Sequence, residues 1–157
     1  MTSTNASRGD ALRAGLCLLC LLGCAFAWAA VWNFDLADWP STKIAPHNEV
    51  VHNACGRVGA WLAYQLFSYL GPGTYALLVC ISGILLVWVT RGRVTAPWQR
   101  SLGVALLVAV TAGTAYLLNS APPSKPPIDS GGIVGVGLGR FLQTNFHLAG
   151  TALILLY

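Results

Sequence analysis

Apolar residues in this chain are gathered into long runs that carry no charge, separated by shorter polar stretches. The first run extends from Ala14 to Trp32, between Arg13 and Asp35. A helix of that length, at about 1.5 Å of rise per residue, covers about 28 Å, close to the ~30 Å hydrocarbon thickness of a bilayer. Thr74 to Thr90 is a second such run, closed by Arg91. Ser101 to Leu118 is a third, opened by Arg100 and closed by Asn119 and the Pro-rich stretch 121–127. A fourth begins at Leu148 and has covered about half a span by Tyr157. A half-inserted helix leaves bare carbonyls in lipid, so the chain is expected to be the N-terminal part of a longer protein.

Two further apolar segments are too short to cross. Residues 56–70 place Val58, Trp61, Leu62, Leu66, Tyr69 and Leu70 on one helical face, and Gly71-Pro72-Gly73 then breaks the helix. Residues 132–146 repeat that pattern at an offset of 76: Gly56, Val58, Gly59, Leu62 and Leu66 match Gly132, Val134, Gly135, Leu138 and Leu142. Each short helix is expected to lie in the interface or to re-enter the membrane against its neighbours. The predicted architecture is all-α and integral to the membrane, with four transmembrane helices, the fourth truncated, and two short interfacial or re-entrant helices. The spans are 14–32, 74–90, 101–118 and 148–157, arranged as a tandem parallel repeat rather than an inverted one.

Composition agrees with that pattern. Apolar residues make up 55% of the chain and charged residues 9%, against about a quarter charged in a soluble domain. Mean hydropathy is +0.63. With so few charges, their positions matter more than the net +4. Arg8 and Arg13 precede the first span, and Arg91, Arg93 and Arg100 crowd the short 91–100 connection. The positive-inside rule therefore predicts residues 1–13 and 91–100 on the cytoplasmic side, with 33–55 and 119–131 as outer loops. Trp28 and Trp32 fall at the outer end of the first span, and Trp88 and Trp98 near the inner face. Leu21-Leu22-Gly23-Cys24 fits a lipoprotein signal box, but the apolar run continues through Trp32, which favours an uncleaved span.

Small residues are spaced for close helix contact: Ala105, Ala109 and Gly113 on the third span, and Gly131, Gly135 and Gly139 in the second short helix. Gly56, Gly59 and Trp61 are the corresponding candidates in the first short helix. Catalytic patterns are missing. Cys17 and Cys20 form a C-x-x-C inside an apolar run, and Cys24 and Cys80 are similarly placed; Cys55 has no evident partner. His47, Glu49 and His52 read as a solvated loop rather than a metal site. Gly135-Val136-Gly137-Leu138-Gly139 follows no strand, and neither lysine follows a glycine, so no nucleotide loop is predicted. The spans lack ionisable groups, which disfavours an ion pathway. No cofactor or metal is expected, and the chain is read as an anchor and assembly element in the lipid bilayer. A small transporter or channel subunit, or a stand-alone envelope scaffold, is the alternative.

Three segments carry a family resemblance. Trp32-Asn33-Phe34-Asp35-Leu36-Ala37-Asp38-Trp39-Pro40-Ser41 resembles the outer-loop element of FtsK/SpoIIIE-type DNA translocases. Next, His52-Asn53-Ala54-Cys55-Gly56-Arg57-Val58-Gly59-Ala60-Trp61-Leu62-Ala63 is similar to their Asn-x-x-Gly-x-x-Gly-Ala-Trp-Leu-Ala segment. Ser130-Gly131-Gly132-Ile133-Val134-Gly135 resembles the element before their fourth span. Tyr64 departs from the pattern, standing where an acidic residue often follows Trp-Leu-Ala. The resemblance implies a four-span membrane domain at the division septum of a bacterial inner membrane. In that family it is attached to a hexameric motor that uses ATP and Mg to pump double-stranded DNA, coupling chromosome segregation to division. It further implies self-association and contact with division-septum proteins. Motor residues lie outside these 157 positions, so no catalytic residue is carried over.

Overall fold

The computed structural model describes residues 3–41, 46, 48–91, 96–118 and 131–156, without the side chains of 3–10, 149 and 156. Its regular parts are helical, with no strand among the described residues. The elements in chain order are α1 (Ser3–Trp32), α2 (Gly56–Leu70), α3 (Gly73–Arg91), α4 (Pro97–Leu118) and α5 (Gly132–Leu156). α5 is kinked at His147, whose φ of 54° and ψ of −177° divide it into 132–146 and 148–156. Arg93, His47 and the loop 119–130 fall outside the described residues.

Among the described residues, three segments are long and apolar enough to cross a membrane: Ala11–Trp32, Gly73–Arg91 and Pro97–Leu118. Only 11% of the first window and 17% of the other two is buried inside the protein, so most of their apolar surface faces outward. In water that surface would drive aggregation; in a bilayer it meets hydrocarbon of its own kind. Several hydroxyls within the helices are satisfied locally, whereas the buried Thr74 Oγ1 has no partner among the described residues. Ser82, Thr90, Thr111, Thr114 and Thr151 each donate to the carbonyl four residues earlier, at 2.7–2.9 Å. Such back-bonding lets a polar side chain sit in an apolar helix without an unmet donor.

The termini of the helices follow from local chemistry. Asn33 closes α1 by donating both its backbone N–H and its side-chain amide to the Ala29 carbonyl, at 3.3 and 3.0 Å. Pro97 opens α4 at the first helical position, where its missing N–H leaves no bond unmade. α1 and α3 run antiparallel: Trp28 Nε1 donates to Ser82 Oγ at 3.0 Å, while Arg13, Cys17 and Leu21 lie beside Trp88 and Val89. α3 and α4 are also antiparallel, with Gly73 against Val108 and Ala112. One end of the molecule thus carries Arg13, Arg91 and Arg100, and is called the arginine end here. The other, the loop end, carries residues 33–41 and 48–55.

α2 lies across the loop end. Its first turn meets Ala30 of α1, and its last turn packs Phe67 on Val31 and Leu78. The Phe67 ring is 4.6 Å from Phe34 in a tilted pair and 5.6 Å from Tyr75 edge-on. Val31, Ala63, Phe67 and Leu78 form a buried apolar cluster, bordered by Ala27, Trp28, Phe34, Leu36, Tyr64 and Leu66. Aromatic pairs of this geometry contribute about 0.5–1.5 kcal/mol beyond simple contact. α4 and α5 share the most extensive interface of the molecule.

Candidate functional site

The polar chemistry of the described residues is concentrated at the loop end, on two residues. Asp38 is buried, 2% exposed. Its carboxylate accepts the backbone N–H of His52 at 3.0 Å to both oxygens, that of Asn53 at 3.0 Å, and the Asn48 amide at 2.8 Å. Asn53 is 4% exposed and uses its whole amide. Its Nδ2 donates to the carbonyls of Ala30 at 2.8 Å and Asn33 at 3.1 Å, and its Oδ1 accepts the N–H of Cys55 at 3.0 Å. A helix leaves its last carbonyls and first N–H groups unpaired. One asparagine therefore caps the end of α1 and the approach to α2 together, and Asp38 pins the loop that returns between them.

Asp35, Asp38 and His52 bring potential ligand atoms within 4.8 Å of one another. Glu49 is not in this group, and it is exposed. Both Asp38 oxygens are already engaged by N–H donors, which supply the positive ends a cation would otherwise provide. Asp35 Oδ1 accepts the N–H of Ala37 at 2.9 Å, and Oδ2 accepts the Asn48 amide at 3.1 Å with His52 Nδ1 at 3.6 Å. The Ala37 bond first, then Asn48, hold the Asp35 carboxyl below its ordinary value, against a small opposing effect of burial; His52 adds to the lowering. The cluster works as a loop staple. The sequence reading of this stretch as a solvated loop passed over its organising groups, Asp38 and Asn53. The scarcity of carboxylates in the chain was the available signal for Asp38.

The glycine candidates fall into distinct roles. A Cβ on Gly59 would collide with Cys55 Cβ and lie 2.5 Å from Asn53 Oδ1, with Ala30 Cβ at 3.4 Å. On Gly135 it would collide with the Ala112 carbonyl oxygen and lie 3.3 Å from Ala112 Cβ. Ala30 and Ala112 are both fully buried. Gly131 meets the same Ala112 carbonyl, and Gly139 faces the ring of Tyr116. Gly113 lies under Leu138 and Leu155, at 3.3–3.4 Å from where its Cβ would be. Gly56 touches nothing, but its φ of 63° is left-handed, as is the 69° of Gly132 at the corresponding start of α5. Gly71 and Gly132 press backbone on backbone, so a Cβ on Gly71 would stand 2.6 Å from the Gly132 nitrogen.

The remaining candidates sit on the surface. Ala105 is exposed and Ala109 half-buried, so of the ridge on α4 only Gly113 enters the protein interior. Trp61 is 47% exposed and lines an open cleft of about 470 Å³ with Trp39, Arg57 and Val58. Arg13 and Arg91 are exposed, and Arg100 is half-buried. The side chain of Arg8 lies outside the described set. Cys55 Sγ donates to the Phe26 carbonyl at 3.6 Å, and Cys24 Sγ is 3.4 Å from Ser82 Oγ, so both thiols serve helix packing. All five cysteines are free.

Among the described residues this geometry forms a joint between the end of α1 and the start of α2. Residues 11–157 match the family described as the 4TM region of DNA translocase FtsK/SpoIIIE. The DNA translocase FtsK of Pseudomonas aeruginosa is 32% identical over 140 residues, covering 83% of this chain and 17% of that protein. That of Pseudomonas putida is 27% identical over 139 residues, covering 83% and 16%. That of Vibrio vulnificus is 30% identical over 148 residues, covering 89% and 14%. The chain spans about one-sixth of the length of these curated relatives, and the match lies on their membrane region, not on a motor. No solved structure matches the chain. On the strength of that match over residues 11–157, the chain belongs to the FtsK/SpoIIIE DNA translocase family, as its transmembrane region.

Proposed function

We propose that this domain anchors and assembles a septal DNA translocase in the bacterial inner membrane, with its N-terminus and the 91–100 connection in the cytoplasm. The observation that carries this reading is the family match over 11–157 onto a membrane region. The clustering of Arg13, Arg91 and Arg100 at one end supports the orientation. Residues 148–156 act as part of a fourth span, returning along α4 so that Leu155 reaches Gly113. The two halves act as a tandem pair. Gly59 against Ala30 and Gly135 against Ala112 are like contacts, made by glycines 76 positions apart. Self-association uses the exposed face of α4 that carries Ala105, and a hexamer suits the motor of the family. ATP, magnesium and double-stranded DNA belong to that motor, and division-septum proteins are the partners of the membrane region.

Reporter fusions test the placement. Fusions after Arg93 are expected to report cytoplasm, and fusions at Pro46 and Lys125 the opposite side. A fluorescent fusion of residues 1–157 is expected to gather at the division site. An external signal at Arg93, or uniform labelling of the envelope, would overturn the proposal.

A further inference from the structure

The loop end holds one feature that helix packing leaves unexplained. Arg57, in the first turn of α2, is exposed and has no acidic partner among the described residues. Its guanidinium carbon lies 5.4 Å from the ring centre of Trp39, and Trp61 and Val58 complete the cleft below it. All four side chains are exposed: Trp39 by 49%, Val58 by 68% and Trp61 by 47%. Trp39 comes from the loop, not from α2. It is brought over Arg57 because its neighbour Asp38 is tied to the N–H groups of His52 and Asn53.

Depth fixes the surroundings of this cleft. The first turn of α2 touches α1 at Phe26 and Ala30, within the last two turns of a helix that ends at Trp32. That level is the boundary between hydrocarbon and headgroups, where tryptophan rings settle and arginine meets phosphate. A guanidinium offers five donors in a planar fork that fits a phosphate in two places. Stacked on an indole it remains charged and keeps its outer edge free.

The geometry points to a site for one anionic phospholipid in the leaflet at the loop end. Its phosphodiester is held by Arg57, and an acyl chain lies in the cleft against Val58 and Trp61. Charge complementarity selects the occupant: the cleft presents a cation with no acidic partner among the described residues above an apolar floor, the reverse image of an anionic phospholipid. A second copy of this chain would bring no described acidic group to this level beyond Asp35, Asp38 and Glu49, and the first two are already engaged. The inference rests on the reading that the domain spans a bilayer.

Native mass spectrometry of the detergent-solubilised chain, offered phosphatidylglycerol or phosphatidylcholine, provides the test. Wild type is expected to retain phosphatidylglycerol at least several-fold better than phosphatidylcholine. Arg57→Gln is expected to abolish the preference, Arg57→Lys to keep part of it, and Trp61→Ala to weaken retention of both lipids. Asp38→Ala is expected to behave like Arg57→Gln, because Trp39 is no longer held in place. No preference in wild type, or an unchanged preference in Arg57→Gln, overturns the site. A photo-crosslinker at Trp61 that captures a second copy or another protein, rather than lipid, also overturns it. Insertion is checked separately by carbonate extraction from vesicles: failure there strikes the membrane reading, while insertion without lipid preference strikes this site alone.

Discussion

Asp35 shows how a partly exposed carboxylate at the loop end takes part in folding. It accepts N–H groups from Ala37 and Asn48, and these favour the ionised form. Its folded value lies below the unfolded one, so its contribution is complete above the ordinary carboxylate range. That contribution is lost as pH falls through the lowered value. Protection of the Ala37 amide, its exchange relative to the intrinsic rate at each pH, is expected to hold from neutral pH down to about 4 and to fall below it. Asp35→Asn is expected to lower that protection at neutral pH and to leave it nearly independent of pH. An Ala37 amide that stays equally protected at pH 3 would remove Asp35 from this role. Asp38 and Asn53, deeper and fully bonded, define the loop more strongly, and their importance was hidden in the sequence because most of their partners are backbone atoms 14 to 23 residues away.

At the scale of elements, contact between α4 and α5 depends on the absence of side chains at chosen points. A Cβ on Gly135 would stand 2.8 Å from the Ala112 carbonyl carbon, against backbone that cannot step aside. Gly103, on the same α4, has open space around it. Gly135→Ala is expected to lower the stability of the solubilised protein by about 1–3 kcal/mol, the usual cost of overpacking. Gly103→Ala is expected to leave it unchanged or raise it by up to about 1 kcal/mol, through helix propensity. Equal thermal unfolding of the two variants in detergent would contradict that assignment. Apolar run length made α1, α3 and α4 legible, because a bilayer fixes the number of residues a helix needs. Spacing of small residues was a weaker guide. Ala105, Ala109 and Gly113 share a sequence ridge, yet only Gly113 is buried. A four-residue period names a face but not what covers it. Val108 and Ala112, which Gly73 and Gly135 approach, carried no such mark.

The whole molecule keeps most of its span surface turned outward, the Ala105 face of α4 included. In a background lacking the five native cysteines, Ala105→Cys in reconstituted vesicles is expected to cross-link between copies with a short bifunctional reagent. Ala112→Cys, fully buried in the native chain, is expected to give none. Cross-links that appear equally at both sites, or at neither, would rule out self-association through this face. The resemblance was readable across almost the whole chain because its signature residues lie at the loop end, where the geometry tolerates few substitutes: Asn53 bonds to two helices, and Gly59 makes room for it.

The close approach of Gly71 and Gly132 also sets an order of events during synthesis. These two backbones are 61 positions apart in the chain (132 − 71). At roughly 5–20 residues per second, about 3–12 s separate the emergence of the first from that of the second. For that interval the corner between α2 and α3 has been made but lacks the surface it finally rests on. The first half of the domain must therefore wait, inserted but unfinished, until translation delivers the glycine that closes it.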